Sequence, residues 1–397
     1  MGGGPNKETL VFIFQEDEPK QVTDRIRKDF PYIEVIYHKL GKPQQGKLMG
    51  GIPYAFDQIP DSLWQKATIL VTLGSLPSDP KLAPNLKLIH LLSAGVDHFL
   101  KHPIFTDTDI PVTTSSGIHG PAISEWVLMT TLNLAKNYNI MHDNQKQHKW
   151  DSKSTGLMNR SDWLGKTVGV CGYGSIGRQV ARVFSAMGSN VHAYTSSPRD
   201  TPASRRDTGY IIPNTGDPEG AIPNAWYSGS DKTGLHTFLA SGLDMLLVSV
   251  PLTDSTRGLF GQEEMDVLYR ASMEKAKARS AAVDEDNDEP RLPDGQGCIL
   301  LNIARGAIVQ TDALISALKA GKLQGAALDV TDPEPLPEDS ELWDLPNAII
   351  TPHASGLFKE YIERGFDILA ENLRRREKGE RLVNEINRKK GYRSVSS

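Results

Sequence analysis

The stretch Thr167-Val-Gly-Val-Cys171-Gly-Tyr-Gly-Ser-Ile-Gly177 decides the architecture of this chain. Thr167–Cys171 is a short apolar run suited to a buried strand. Ile176, Val180, Val183, Phe184 and Met187 recur behind it at helical spacing. Between strand and helix the glycines fall in the order G-x-G-x-x-G. Gly172 permits the tight turn, Gly174 lets the backbone approach a pyrophosphate, and Gly177 lets the helix pack closely on the strand. Tyr173, Ser175 and Ile176 complete a loop whose free N–H groups and helix dipole face the phosphates. A glycine-rich turn alone is a weak signal; the apolar strand and amphipathic helix around it mark a dinucleotide loop.

The same alternation extends on both sides. Downstream, strands are predicted at Asn190–Tyr194, Asp244–Val250, Cys298–Ile303, Gly325–Val330 and Ala348–Thr351, with helices over Ile176–Met187 and Asp312–Lys319. Six strands in such a series make a doubly wound parallel sheet. Upstream, Leu10–Phe14, Ile33–Tyr37, Ile69–Leu73, Leu86–Leu92 and Pro111–Thr114 read as strands separated by helix-like pieces, a second parallel α/β unit. A single long helix is predicted from Pro121 to about Lys149, apolar nearly all round and joining the two bodies. The tail Phe358–Lys378 repeats apolar residues at helical spacing and is expected to return to the first unit, making it discontinuous. The expected division is 1–118 and 355–397 for one domain and 119–354 for the other. Pro198–Gly234 is crowded with Gly and Pro, and Ala276–Gly297 is polar and acidic. Both read as surface insertions, mobile at least in part.

Composition narrows the function. Lys plus Arg is 44 against 49 Asp plus Glu, a net charge of −5, which gives no electrostatic footprint for nucleic acid or an anionic membrane. No apolar run reaches the length of a membrane span, and the N-terminus lacks a signal-peptide layout. Two cysteines exclude a disulfide scaffold, and the ten histidines show no metal-ligand spacing, so no metal site is expected. A reducing cytosolic compartment is the default.

Cofactor choice is read at the end of the strand after the glycine loop, where an acidic residue would select NAD. Here the sequence is Thr195-Ser196-Ser197-Pro-Arg199, with no acid before Asp200. Three hydroxyls and a guanidinium suit a 2′-phosphate, so NADP is expected over NAD; Arg205 and Arg206 lie close by in sequence.

Polar segments end three later strands: Leu301-Asn-Ile-Ala-Arg305-Gly306, Leu328-Asp-Val-Thr-Asp-Pro-Glu334-Pro and Ile350-Thr-Pro-His353-Ala-Ser-Gly356. Open α/β sheets bind ligands at such strand ends. A guanidinium offers a fixed fork of donors matching a 2-oxo acid. An imidazole passes one proton to a carbonyl oxygen near neutrality, and a carboxylate beside it would orient it. Each residue alone has a structural explanation; their joint occurrence beside a dinucleotide loop points to chemistry.

With Ser93-Ala-Gly-Val-Asp97 and Val250-Pro-Leu-Thr253, these segments resemble the D-isomer specific 2-hydroxyacid dehydrogenase family, in particular its glyoxylate/hydroxypyruvate reductases. The resemblance spans most of the chain and keeps the motif order. It implies a Rossmann-like nucleotide domain and a flavodoxin-like, split substrate domain. It further implies that Arg305 binds the substrate carboxylate and carbonyl, that His353 donates the proton, and that Glu334 pairs with His353. Backbone amides near Ala94, Gly95 and Val96 would hold the substrate carboxylate. Asp329 would hold the nicotinamide carboxamide, Ile303 and Ala304 would line its ring, Val250 and Pro251 would approach the adenosine half, and Ser355 and Gly356 would join the cofactor contacts.

The implied activity is reversible hydride transfer between a nicotinamide cofactor and a small 2-oxo acid, performed by a homodimer, with the 121–149 helix a candidate contact. A dinucleotide-sensing corepressor of the same fold is the alternative, since Arg305, Glu334 and His353 do not by themselves exclude it. Formate dehydrogenase is disfavoured because that relative has Gln where Glu334 stands. A serine-synthesis dehydrogenase would usually carry a further regulatory domain. His90, His98, Trp126 and Trp150 are candidate pocket residues, with packing the commoner role for each.

Overall fold

A computed structural model describes residues 7–41, 48–49, 52–53, 59–279, 296–388 and 391–393. It resolves into two compact units. One comprises 1–118, 208–212 and 357–397, and the other 119–207 and 213–356.

The first unit is built on β1 (Glu8–Phe14), β2 (Ile33–Lys39), β3 (Ile69–Thr72), β4 (Leu88–Leu91) and β5 (Val112–Thr114), all parallel in the order β2-β1-β3-β4-β5. This is the flavodoxin-like order. Because side chains alternate along a strand, β1 serves two cores at once: Leu10 and Phe12 enter one, Val11 and Ile13 the other. Parallel strands covered on both faces read as the continuous apolar run seen at Leu10–Phe14. Helix Tyr361–Glu377 closes one face, with Phe366, Leu369, Ala370 and Leu373 packed beside Phe12. The first unit is therefore discontinuous in sequence.

His90, on β4, belongs to that packing rather than to a pocket. It is fully buried, with Nε2 donating to the Gly365 carbonyl at 3.1 Å and Nδ1 3.0 Å from Thr113 Oγ1. Burial pushes its pKa down to about 4. Of the other pocket candidates, His98 lies against Phe99 with the rings tilted, and Trp126 lies in the second unit's core. Trp150 is fully exposed.

The second unit opens with α1 (Gly120–Ala135) and α2 (Tyr138–Lys146), where one helix was expected. The break is at Asn137, whose φ of 51° is left-handed, a conformation asparagine tolerates better than most residues. Nor is the first helix buried all round: Met129 is 57% exposed. Its buried face packs on the helix behind the glycine loop, where Gly120 leaves room for Gln179.

The sheet of this unit has seven parallel strands: β6 (Thr167–Cys171), β7 (Asn190–Thr195), β8 (Ala225–Ser228), β9 (Met245–Val248), β10 (Ile299–Asn302), β11 (Gly325–Leu328) and β12 (Ala348–Ile350). Their order is β8-β7-β6-β9-β10-β11-β12, the Rossmann order with one strand added. Leu246 and Val248 point into one core and Met245 and Leu247 into the other.

β8 corrects the reading of Pro198–Gly234. That stretch supplies an edge strand, and helix Lys232–Leu239 begins within it. Buried Asp217 knots its loops, taking Ala221 and Ile222 N–H at 2.9 and 3.1 Å. Within it, residues 208–212 belong to the first unit, so the stretch 119–354 is not one uninterrupted domain. For the acidic stretch, helix Gln262–Arg279 covers its start, while residues 280–295 lie outside the described residues. No helix among the described residues is long and apolar enough to cross a membrane.

Candidate active site

Each glycine of the 172–177 loop meets a different physical demand. Gly172 has φ 102°, and a Cβ there would lie 2.7 Å from the Ser249 carbonyl carbon. A Cβ on Gly177 would meet Gly172 O at 2.4 Å and Val170 at 2.7 Å, so helix and strand are in direct contact. A Cβ on Gly174 would meet nothing within 4 Å. That open space lies at the N-terminus of helix Ser175–Ala186, where first-turn N–H groups have no intrahelical acceptor. Close packing on two sides and room on the third fits a pyrophosphate against the backbone.

The cofactor-selecting segment ends β7. Thr195 Oγ1 donates to Ser197 O at 2.8 Å, while Ser196 and Ser197 are exposed. Arg199 spends one guanidinium nitrogen on Ser204 O at 2.6 Å. Arg205 and Arg206 are otherwise occupied. Arg205 donates to Arg199 O at 2.8 Å and lies over the Trp226 ring, and Arg206 pairs with Glu219 at 2.7 Å. Val250 and Pro251 follow β9, the strand next to β6.

Arg305, Glu334 and His353 follow β10, β11 and β12, which are adjacent and parallel, so all three loops leave the same edge of the sheet. Buried Asn302 shapes the first loop, accepting from Ala304 N at 3.1 Å and donating to Arg305 O at 2.9 Å. Arg305 is half-buried and donates to Ala304 O at 2.7 Å. Ile303 and Ala304 are buried beside it. Gly306 is obligatory, because a Cβ there would lie 1.9 Å from Thr331 O. That contact presses the Arg305 loop against the chain leading to Glu334.

Glu334 Oε1 is 2.8 Å from His353 Nδ1. A carboxylate accepts, so Nδ1 carries the hydrogen and Nε2 is the nitrogen left for a reacting group. Both side chains are partly exposed, at 23% and 30%. His353 has φ 53°, strained for a non-glycine residue, and is held there by its N–H bonded to Asp329 O at 2.9 Å and Thr351 O at 3.0 Å. Buried Asp329 fixes the rest of the loop. Its carboxylate accepts from Thr351 Oγ1 at 2.6 Å, Ala354 N at 2.8 Å, Ser355 N at 2.9 Å and Ser355 Oγ. Asp329 is thus the brace of the His353 loop, a role the sequence reading did not assign, and Ser355 is part of that brace. Gly356 ends the loop against His119.

Ala94, Gly95 and Val96 lie in the other unit, just past β4. Ser93 Oγ donates to Gly95 O at 2.9 Å and the Val96 side chain is buried, which fixes the loop. The sequence reading found no metal-ligand spacing; among the described residues His236, Glu263 and Glu264 come together. Lys232 pairs with Glu263, and Glu264 accepts from His236 at 2.9 Å and from Gly261 N at 2.9 Å, so existing partners account for the cluster.

A seven-stranded Rossmann sheet with a dinucleotide loop and a paired imidazole and carboxylate at its carboxyl edge defines a nucleotide-dependent oxidoreductase class. Residues 128–212 and 294–355 match the family model for the D-isomer specific 2-hydroxyacid dehydrogenase NAD-binding domain. The chain is 28% identical over 313 residues to glyoxylate/hydroxypyruvate reductase A of Salmonella paratyphi B, covering 77% of this chain and 82% of that one. Among solved structures it resembles a D-isomer specific 2-hydroxyacid dehydrogenase of Xanthobacter autotrophicus, in complex with NADPH and MES. The TM-score is 0.68 at 25% identity, over 97% of this chain and all of that one. An NADPH-dependent glyoxylate/hydroxypyruvate reductase of Sinorhizobium meliloti, in complex with NADP and sulfate, gives 0.66 at 25%, with 97% and 100% covered. Residues 128–212 and 294–355 thus form an NAD-binding domain of the D-isomer specific 2-hydroxyacid dehydrogenase type, and the chain uses a nicotinamide dinucleotide.

Proposed function

We propose that this chain is an NADP-dependent reductase of small 2-oxo acids of the glyoxylate or hydroxypyruvate type. The observation that carries the reading is the His353 Nδ1–Glu334 pair, 2.8 Å apart, on the sheet edge shared with Arg305. The relatives named above, glyoxylate/hydroxypyruvate reductases, support the substrate class.

When bound, the nicotinamide supplies or accepts the hydride at the substrate's C2. The chain's own residues do the rest. Arg305 offers its guanidinium fork to the carboxylate and carbonyl oxygens and stabilises negative charge developing on the carbonyl. Nε2 of protonated His353 gives its proton to that oxygen, and Glu334 fixes the ring orientation and balances the imidazolium. Ala94, Gly95 and Val96 donate backbone N–H groups to the carboxylate; none of the three has an acceptor among the described residues. Gly172, Tyr173, Gly174, Ser175, Ile176 and Gly177 hold the pyrophosphate, with Val250 and Pro251 at the adenosine. Ile303 and Ala304 line the nicotinamide ring, and Asp329 and Ser355, already joined, border it with Gly356.

Ser196, Ser197 and Arg199 carry the NADP preference, helped by the missing acid at the end of β7. A homodimer accounts for Met129, Tyr138, Trp150, Met158 and Leu164, large apolar side chains exposed between residues 129 and 164. Cytosolic residence fits two free, buried cysteines, whose thiols burial pushes up, Cys171 to about 12.

A panel of glyoxylate, hydroxypyruvate and pyruvate assayed with NADPH and NADH tests the reading. Turnover of the first two with NADPH preferred is expected. Tight dinucleotide binding without turnover of any 2-oxo acid would replace it with the sensor alternative.

A further inference from the structure

The glycine loop carries a bulky and buried residue, Tyr173, which is 5% exposed. Its hydroxyl donates to Asp217 at 2.8 Å, across 44 residues of sequence. Asp217 is itself held by backbone and side-chain partners. Its carboxylate accepts the Ala221 and Ile222 N–H groups, and its carbonyl accepts from Arg178. Arg178 stands in the second turn of the helix behind the loop. Its second terminal nitrogen donates to Arg205 O at 2.6 Å, its Nε is 3.6 Å from the Asp207 carboxylate, and its guanidinium lies 4.9 Å from the Tyr173 ring centre. Gln179 accepts Gly216 N at 2.6 Å, and Arg182 donates to Gly216 O at 3.2 Å. Asp207 N bonds to Pro218 O at 2.8 Å, closing the base of the excursion made by 208–212. The Trp226 ring meets Tyr173 edge-on at 5.0 Å.

The stretch Pro198–Gly234 is thus fastened to the pyrophosphate loop and to the first turns of the helix that follows. Residues 213–293 fall outside the matched family segments, so the family model gives Asp217 no counterpart. We propose that Asp217 is a positioning residue for dinucleotide binding, acting through Tyr173 and Arg178. This rests on the nucleotide-binding role of the 172–177 loop.

The physical reason is that the loop binds phosphate with backbone N–H groups, which gain affinity only if they are already aimed. Flanked by glycines at 172 and 174, the loop has little intrinsic stiffness. The Tyr173 hydroxyl, held by a carboxylate that is itself doubly bonded to backbone, supplies that stiffness from outside the loop. Hydride transfer occurs at the far end of the cofactor, so a looser loop weakens binding and leaves the chemical step alone.

Tyr173→Phe deletes one oxygen, and Asp217→Asn keeps the size of its partner. The dissociation constants of NADPH and NADH are measured by fluorescence titration, alongside KM and kcat at saturating cofactor and the thermal midpoint. Each variant is expected to bind NADPH roughly 3–10-fold more weakly, the net worth of one buried hydrogen bond, and Asp217→Asn to leave kcat at saturating cofactor unchanged. The double variant should be no weaker than the worse single one, because both remove the same interaction. Glu219→Gln, on the exposed part of the same stretch, should bind as the unsubstituted chain does. Affinity within about twofold in both single variants, or independent losses that add in the double, would overturn the inference while the unsubstituted chain still bound NADPH. An unsubstituted chain that binds neither dinucleotide would overturn it together with the reading beneath it.

Discussion

The His353 loop and the Thr195–Arg199 loop both close strands of one sheet, yet they are built oppositely. Around His353 the polar groups are spent before any ligand arrives: Asp329 takes four bonds, Glu334 holds Nδ1, and the backbone is pinned at positive φ. Around Thr195 the residues Ser196 and Ser197 are exposed, and among the described residues Arg199 is tied by one nitrogen. On the proposed function the first is a site fixed in advance for chemistry, where misplacing a proton donor by an ångström would be costly. On the same proposal the second is a surface loop that would select a ligand by charge, a task that tolerates adjustment. Substitutions in the first should therefore cost turnover and stability together, and substitutions in the second should cost only preference.

The largest break in that contrast comes from Arg305→Lys. It keeps the charge and loses the fork, and kcat/KM for the 2-oxo acid is expected to fall by roughly 10²–10³ in steady-state assays. Next is Asp329→Asn, which turns one acceptor into a donor facing Thr351, Ala354 and Ser355. Urea denaturation should show a loss of about 1–3 kcal/mol, and kcat should fall with it. A smaller effect is expected from Arg199→Ala: the NADPH-to-NADH preference should drop roughly tenfold, about 1.4 kcal/mol, with kcat and the thermal midpoint unchanged. Equal loss with both cofactors would show that the loop serves structure.

A further test lies in the other unit and touches stability alone. His90 is held neutral, with its pKa lowered to about 4 by burial, whereas in the unfolded chain it titrates near 6.5. The unfolded state thus binds more protons between those values. Stability contributed by neutral His90 is complete above about pH 6.5 and is lost as pH falls towards 4, up to about 3 kcal/mol in all. His90→Gln should flatten the dependence of the thermal midpoint on pH across that window.

What the sequence made legible follows the range of the forces involved. The glycine loop and the strands beside it were readable because φ, close packing and apolar periodicity are local. The Arg305, Glu334 and His353 segments were readable because each is a short strand-end motif, and their assembly needed only the parallel order of three adjacent strands. β8 was missed because it is a half-buried edge strand set among Gly and Pro; Trp226 and Tyr227, both favourable in strands, were its signal. The break at Asn137 was missed because helical periodicity outlasts a single left-handed residue. Asp217 gave no signal at all. Its partners are Tyr173 and Arg178, and only folding brings them to it. Asp329 shows the converse: its motif was recognised, and its work as the brace of the His353 loop emerged from four hydrogen bonds.

The most direct test is the pH dependence of kcat/KM for glyoxylate reduction, in the unsubstituted protein and in His353→Gln. If Nε2 of His353 delivers the proton, the unsubstituted rate falls towards alkaline pH, and the variant is slower by roughly 10²–10⁴ with that fall gone. A variant that keeps the original rate, or the same alkaline fall, would contradict the account.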